Sequence, residues 1–201
     1  MDVRPFSLFF AMLTVAADLF VVGAVVLALA GRWSGAAAEV ARKTRAWIAP
    51  AALPFAWLVA VTATAGSLFY SEVAGYVPCR LCWYQRIGIY PLVLILGIAA
   101  LKRDTGIRRY AVPLTLATAA ISAYHYQLQR FPGQGRLSCA AEAPCTITWV
   151  WQFHYISIPF MALSASALIA TLLVIARPPN DIPVLPGDAE QEARRKETVR
   201  A

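Results

Sequence analysis

The sequence predicts an all-α membrane protein with five spans, and three observations support that prediction. Hydrophobic residues make up 59% of the 201-residue chain and charged residues only 14%, whereas soluble domains are typically about 45–50% apolar. Five segments reach or approach the ~20 predominantly apolar residues that are needed to cross a bilayer. Most of the positive charges lie between these segments or in the C-terminal tail.

The apolar segments follow one another along most of the chain. We expect spans at Phe6–Ala30, Trp47–Tyr70, Cys82–Leu101, Tyr110–Gln129 and Ile156–Ala176. The early turns of these helices, where a missing N–H costs least, should hold Pro50, Pro54, Pro91, Pro113 and Pro159. Beyond the last span, the polar composition of Pro178–Ala201 predicts a mostly disordered tail.

The first span has a second interpretation, because Ala28-Leu29-Ala30 resembles a signal-peptidase site. The apolar stretch is longer than the core of a signal peptide, and cleavage would invert every later span, so we favour a retained helix. Asp18 lies in the middle of this segment. An ionisable group at that depth is a functional candidate by default, and a protonated, hydrogen-bonded packing role is an equal alternative.

Lysine and arginine residues predict the orientation, because short cytoplasmic loops are enriched in them. The Gly31–Ala46 loop, the Lys102–Arg109 loop and the tail from Arg177 hold four, four and five of the 18 basic residues. Five spans place all three regions on one side, which the charge rule assigns to the cytoplasm. The N-terminus and both cysteine-bearing segments then face outward, where disulfides persist.

The chain has four cysteines, arranged as two pairs. Cys79 and Cys82 lie three residues apart at the expected start of the third helix, so this pair can close into a disulfide and reopen. A helix N-terminus lowers the pKa of a thiol and favours the reactive thiolate. A passive disulfide and half of a metal site are the alternatives for this pair.

Cys139 and Cys145 enclose a short polar loop on the expected outer side. Because loop-closure entropy grows with the enclosed length, a bridge here would stabilise the fold only modestly, which favours an exchangeable bond over a structural one. A four-cysteine zinc site is a further alternative, but the gap exceeds the usual two-to-four spacing of zinc ligands. We therefore expect no metal ligands in this chain.

Arg86 follows Cys82 by four residues, so both side chains should share one face of the third helix. An arginine in this place can stabilise a thiolate or donate hydrogen bonds to a carbonyl oxygen that gains charge. A side chain that snorkels to the interface is the alternative. Trp83, Trp149 and Trp151 are expected to be interfacial anchors, because tryptophan concentrates at membrane–water boundaries.

Taken together, these motifs resemble the DsbB family of membrane thiol:quinone oxidoreductases. The resemblance rests on the Cys-x-x-Cys-x-x-x-Arg string of residues 79–86, on Tyr124-His125-Tyr126-Gln127-Leu128-Gln129, and on the outer loop with two cysteines. The first string and the short loop are most similar to the BdbC-type branch.

The resemblance covers roughly Trp47–Ala176. It implies a transmembrane four-helix bundle of DsbB type over residues 47–176, preceded by an extra N-terminal helix and a cytoplasmic loop over residues 1–46. A disordered cytoplasmic tail would follow over residues 177–201.

The resemblance also implies a function in a bacterial plasma (inner) membrane. Such a protein oxidises an extracytoplasmic thioredoxin-fold oxidase of the DsbA or BdbD kind and passes the electrons to a membrane quinone, menaquinone or ubiquinone. Carried over by motif, Cys139 would form the mixed disulfide with the partner, and Cys145 would exchange with Cys79. Cys82 would face the quinone.

Two further residues are carried over as quinone-binding. Arg86 would bind the quinone head, and His125 falls where the family often has a histidine near the quinone. A hydrogen-bonded interfacial histidine is the alternative for His125.

Two other functions fit parts of the pattern. A vitamin-K-epoxide-reductase-like relay also uses a quinone and four cysteines, but in that family the loop cysteines precede the helix-borne pair. A non-catalytic membrane adaptor would use its disulfides only to brace the outer loop. The net charge of +7 would favour nucleic-acid binding in a soluble protein, but no glycine-rich phosphate loop or basic aromatic platform accompanies it.

Overall fold

The computed structural model describes residues 3–133 and 144–176, and within them the chain consists mainly of five long helices. These are α1 Arg4–Ala30, α2 Gly35–Leu68, α3 Arg80–Lys102, α4 Arg108–Arg130 and α5 Ile158–Ile175. A π-helical turn, Phe69–Val73, extends α2, and a 3₁₀ turn, Thr105–Ile107, connects α3 to α4. The prediction of an all-α fold is confirmed. Cys139 and the predicted tail lie outside the described residues.

The helices α2, α3, α4 and α5 pack in a ring, and α1 lies outside that ring against α2 and α5. This is a four-helix bundle with one extra N-terminal helix, as the family resemblance implies. Among the described helices, α1, α3, α5 and α2 with its π-helical turn are long and apolar enough to span a membrane. The least apolar long helix is α4, which contains Arg108, Arg109 and Arg130 and carries Thr115, Thr118, Ser122 and His125 on its buried face.

The structure differs from the sequence prediction at the start of the second helix. That helix begins at Gly35 rather than near Trp47, so most of the predicted loop Gly31–Ala46 is helical. The Ser34 hydroxyl caps it by accepting a hydrogen bond from the Ala37 N–H at 3.4 Å. Glu39 and Arg42 then form an ion pair with a shortest N–O distance of 2.6 Å across one turn. A capped, alanine-rich segment with such a pair favours helix even though it is polar.

The expectation that prolines lie in early turns is correct for Pro159 in α5 and wrong for Pro91, which lies in the middle of α3. Pro50 and Pro54 are also internal, because α2 starts earlier than predicted. Membrane helices tolerate internal prolines because neighbouring helices and local adjustments satisfy the freed backbone groups.

The two ends of the bundle differ in their interior. The end at the α3–α4 connection, called here the distal end, is filled by alanine and leucine side chains, among them Ala56, Leu92, Leu96 and Leu173. The opposite end, called the cysteine end, holds a smaller buried cluster of Cys79, Leu81, Leu128 and Cys145. The chain therefore brings the described cysteines together at one end of the bundle.

Close contact between α3 and α4 positions the cysteine end. A Cβ atom at Gly88 would overlap the hydroxyl oxygen of Thr118, so only glycine lets α4 approach α3 this closely. Thr118 in turn donates its hydroxyl proton to the Leu114 carbonyl oxygen at 2.8 Å. This contact lies two turns below the start of α3 and brings the end of α4 toward Cys79.

Candidate functional site

Cys79 and Cys82 lie at the N-terminus of α3 as two free thiols. Cys79 is the N-cap residue, and its sulfur accepts a hydrogen bond from the Cys82 backbone N–H at 3.5 Å. The two sulfur atoms are 3.2 Å apart, whereas a disulfide bond is about 2.05 Å long. A small side-chain movement therefore closes the pair.

His125, near the end of α4, lies against this dithiol. Its Nε2 atom is 3.1 Å from the Cys145 carbonyl oxygen and 3.6 Å from the Cys79 sulfur. Because a carbonyl oxygen can only accept, Nε2 carries a proton. The Gln85 side-chain nitrogen lies 3.3 Å from Nδ1 and can donate to it. The imidazole therefore directs its Nε2–H toward the Cys145 carbonyl oxygen and the Cys79 sulfur.

Cys79 is the more acidic thiol of the pair. The largest cause of its lowered pKa is the hydrogen bond from the Cys82 thiol. His125 and the Cys82 backbone N–H lower the pKa further, whereas burial raises it. Together they lower the pKa of the Cys79 thiol to about 4. At neutral pH Cys79 is therefore ionised, which is the form that attacks a disulfide.

Cys145 is already disulfide-bonded and is only 1% exposed. It lies in the same buried cluster as Cys79. Its predicted partner, Cys139, lies outside the described residues, so the pairing of these two cysteines stays a prediction. The second cysteine segment nevertheless reaches the dithiol through Cys145, which joins the site from a position far along the chain.

Two cavities border the dithiol. The larger, of about 300 Å³, is mainly apolar and is bordered by α1, α2, α3 and α5. The smaller, of about 180 Å³, is lined by Cys79, His125 and residues near Cys145. Cys82 borders both cavities, and Trp149 also does so. The dithiol therefore separates an apolar compartment from the compartment that faces the second cysteine segment.

Arg86 lies on the lining of the larger cavity, on the same side as Cys82, as the i, i+4 spacing predicts. Its Nε and one terminal nitrogen donate to the hydroxyl and the carbonyl oxygen of Ser67 at 3.1 and 3.2 Å. Tyr90 donates to the same Ser67 hydroxyl at 3.0 Å. The guanidinium also lies over the rings of Trp83 and Tyr90. Arg86 is thus held at the cavity wall by neutral partners.

The sequence prediction missed two features of this arrangement. Ser67 orients Arg86 from another helix, and no spacing within α3 indicates a contact between helices. Tyr90 follows Arg86 by four residues, so a shared face was readable from the sequence. Trp149, expected to be an interfacial anchor, stacks on Tyr76 with ring centroids 4.9 Å apart and borders both cavities.

His125 does not line the larger cavity but the smaller one. Its position beside Cys79 favours a role in thiol chemistry over the quinone contact that the family resemblance implies.

The dithiol and His125 also form a set of three potential metal ligands, whose donor atoms lie within 4.8 Å of one another. Thiolate and imidazole are ligands that zinc and cuprous copper prefer. Closing the disulfide would remove two of the three donors, so metal binding and redox cycling at this site exclude one another. The expectation of no metal stays a prediction.

Comparisons with known proteins match most of this chain to one family. The profile of the family described as "Disulfide bond formation protein DsbB" matches residues 49–176. The chain is similar to "Disulfide bond formation protein C" of Bacillus subtilis, with 44% identity over 122 residues that cover 60% of this chain and 88% of that protein. It is also similar to a "Probable disulfide formation protein" of Oceanobacillus iheyensis, with 47% identity over 125 residues and coverage of 60% and 86%. No solved structure matches the chain significantly.

Proposed function

This chain belongs to the DsbB family of disulfide bond formation proteins, and from that premise we propose that it carries electrons from the dithiol of an extracytoplasmic thioredoxin-fold oxidase to a membrane quinone. The chain is a multi-pass membrane protein with a role in disulfide bond formation. The proposal adds the partner, the quinone and the order in which the cysteines act.

The proposed cycle consists of two thiol–disulfide exchanges and one oxidation. The partner's dithiol reduces the Cys139–Cys145 disulfide through a mixed disulfide at Cys139, and the partner leaves oxidised. The reduced loop pair then exchanges with a Cys79–Cys82 disulfide, with Cys145 meeting Cys79. Each exchange breaks one S–S bond for every S–S bond that forms, so two electrons move with each step.

The oxidation step returns the Cys79–Cys82 pair to the disulfide. The two electrons released when this bond forms, together with the proton of the Cys82 thiol and one proton from water, convert the quinone to a quinol. Cys79 supplies the thiolate and lies 3.2 Å from the Cys82 sulfur, so the S–S bond can form without rearrangement of the backbone. The described combination of a free Cys79–Cys82 dithiol with a disulfide-bonded Cys145 matches the stage before this oxidation.

The observation that carries the proposal is the position of Cys82 between the two cavities. A relay to a lipid-soluble carrier needs one sulfur that meets the apolar compartment and one that meets the thiol partner. Cys79 borders only the smaller cavity, beside the cluster that contains Cys145. These positions support the assignment of Cys82 to the quinone, in the apolar cavity, and of Cys79 to the exchange with Cys145, beside the smaller cavity.

The larger cavity also fits a quinone chemically. Its lining is mostly apolar and suits a ring with a hydrocarbon tail, and Arg86 is the cation on that lining. Ser67 occupies two of the guanidinium N–H groups, and an arginine has five. The others are available to a quinone carbonyl oxygen as it gains negative charge.

We assign His125 to the thiols. Its Nε2–H stabilises the Cys79 thiolate and orients the Cys145 carbonyl, so it assists the exchange between the two cysteine pairs. The family resemblance instead implied a contact with the quinone, and the smaller cavity that His125 lines supports the assignment made here.

The proposed orientation places the cysteine end outside the cytoplasm. At the distal end, Arg45 and Arg108 donate to the carbonyl oxygens of Val174 and Ala176 at the end of α5. Basic side chains that cap a helix C-terminus are favourable there, and their concentration at this end supports a cytoplasmic distal face.

The Cys82→Ser variant tests the proposal in a purified system with a reduced thioredoxin-fold oxidase and a short-chain quinone. We expect quinol formation to stop, because a single cysteine cannot form the intramolecular disulfide. Thr105→Ala, a change of a half-buried residue in the 3₁₀ turn at the distal end that lines neither cavity, serves as the control and should turn over like the wild type. Quinone reduction by Cys82→Ser at the wild-type rate would refute the assignment.

A further inference from the structure

The first helix, α1, lies outside the region that matches the family, because the match begins at residue 49 inside α2. Only 6% of its most apolar 18-residue window is buried, yet the helix is attached to the bundle in a defined way. Its contacts run along both α2 and α5, so it covers the groove between these two helices.

The N-terminal half of α1 is fixed to the C-terminal end of α2. The Tyr70 hydroxyl donates to the Ser7 hydroxyl at 3.3 Å, and the rings of Phe6 and Phe69 lie 4.5 Å apart. A Cβ atom at Gly66 would lie 3.0 Å from the Phe10 ring, so the absence of a side chain there lets Phe10 reach the α2 backbone.

A second attachment lies deeper in the membrane. The Asp18 carboxyl group lies beside the Ser164 side chain of α5 and interacts with it, and Ser164 is 3% exposed. A carboxyl group within a span is costly unless it has such a partner. The two attachments together fix both the height and the rotation of α1 against the bundle.

This rotation presents one face of α1 to the larger cavity. The residues that reach the lining are Phe10, Leu13, Thr14 and Ala17, and their i, i+3, i+4, i+7 spacing marks a single helical face. The Thr14 hydroxyl donates to the Phe10 carbonyl oxygen at 2.8 Å, so its donor is satisfied within the helix. The α1 wall is therefore apolar, whereas Cys82, Gln85 and Arg86 belong to α3.

We propose that α1 is a wall of the ligand cavity and that its Phe10–Ala17 face determines which apolar carrier the cavity accepts. The inference rests on the proposed function, since the carrier is taken to be the quinone. In this arrangement the quinone ring lies between the reactive α3 side and the apolar α1 side, and α1 closes the groove between α2 and α5 from the lipid. Ala17, the smallest of the four side chains, leaves space that a larger residue would fill.

The first test compares Ala17→Phe with Ala16→Phe. Ala17 borders the cavity, whereas its neighbour Ala16 is exposed on the outer side of the helix. We expect Ala17→Phe to raise the KM for a short-chain quinone by about tenfold or more, because specificity for apolar groups in a pocket is of this order. Ala16→Phe should keep the wild-type KM. Both variants should exchange disulfides with the reduced partner at the wild-type rate when quinone is left out.

Equal KM values for Ala17→Phe, Ala16→Phe and the wild type would overturn the inference and leave the proposed function intact. If the wild type reduced no quinone at all, the proposed function would fail first. The two failures are therefore distinguishable.

Photolabelling of the unmodified chain with an azidoquinone gives a second readout that does not depend on a variant that folds. We expect the covalent label on α1 within Phe10–Ala17 as well as on α3, and we expect excess quinone to compete for both. Competed labelling of α3 and α5 with none on α1 would overturn the inference.

Discussion

The cysteine end and the distal end of the bundle contain the same helices but are built differently. The distal end is filled with small and branched apolar side chains, such as Ala56 and Leu96, that are fully buried. The cysteine end replaces much of that packing with two cavities and with buried polar side chains, among them Gln85 and His125.

This difference indicates that the distal end mainly stabilises the fold and that the cysteine end mainly provides the chemistry. Packing at the distal end holds the four helices in register, so the cysteine end can keep open space and a partly buried guanidinium. Cavities and buried polar groups lower stability, and a bundle tolerates them where another part of its interior is well packed. Changes at the distal end should therefore affect folding, and changes at the cysteine end should affect turnover.

The largest expected effect is on stability, at the distal end. Leu96→Ala should lower the free energy of unfolding by about 2–4 kcal/mol, because it leaves a void where Leu96 is 0% exposed. Its matched control is Leu94→Ala on the same helix, where Leu94 is 72% exposed and no void forms. Denaturation in mixed micelles measures both. A comparable loss in the two variants would show that the distal interior does not stabilise the fold as described.

The second expected effect is on quinone binding. Arg86→Gln should raise the KM for quinone by about tenfold or more, because it removes charged hydrogen bonds of roughly 1.5–3 kcal/mol. Arg80→Gln is the matched control, since Arg80 is exposed at the start of the same helix and is not part of the cavity lining. Steady-state quinol formation separates KM from kcat. If both variants raised the KM for quinone equally, the result would be explained by a general loss of positive charge and not by a specific contact of Arg86.

The smallest expected effect is on the ionisation of Cys79. Because its thiol pKa is lowered to about 4, its alkylation rate should stay nearly constant from about pH 8 to pH 6 and should fall to half near pH 4. The thiolate is present above this pKa and is lost as the pH falls through it. Mass spectrometry of the reduced chain after short pulses of iodoacetamide measures the rate at Cys79 alone.

His125→Ala should move this midpoint to higher pH, because the variant lacks the Nε2–H group near the Cys79 sulfur. The other histidine of the chain, His154, is exposed, and His154→Ala should leave the profile unchanged. An unshifted midpoint in His125→Ala would remove His125 from the thiol chemistry.

Much of the fold could be predicted from the sequence, because membrane spans depend on local composition. To predict the spans, it was enough to find long apolar segments. The i, i+4 spacing of Cys82 and Arg86 predicted that they share one face of the helix. The start of α2 was missed, because a basic segment such as Gly35–Ala46 fits a loop and a capped helix equally well by composition. The Glu39–Arg42 ion pair was the available local signal for helix.

The rest of the candidate site depends on contacts between distant segments. The Arg86–Ser67 hydrogen bonds join α3 to α2, and the His125–Cys145 hydrogen bond joins α4 to the segment before α5. No spacing within one segment reports such a contact. For the same reason the sequence left the role of the first helix open, although its cavity-facing residues follow a regular helical spacing.

The central claim is that the Cys79–Cys82 dithiol delivers its electrons directly to a quinone. The most direct measurement mixes the chain, reduced at Cys79 and Cys82, with one equivalent of quinone without oxygen, followed by alkylation and mass spectrometry. The account predicts one quinol formed for each Cys79–Cys82 disulfide that closes. Free thiols at both positions beside unreduced quinone would contradict it.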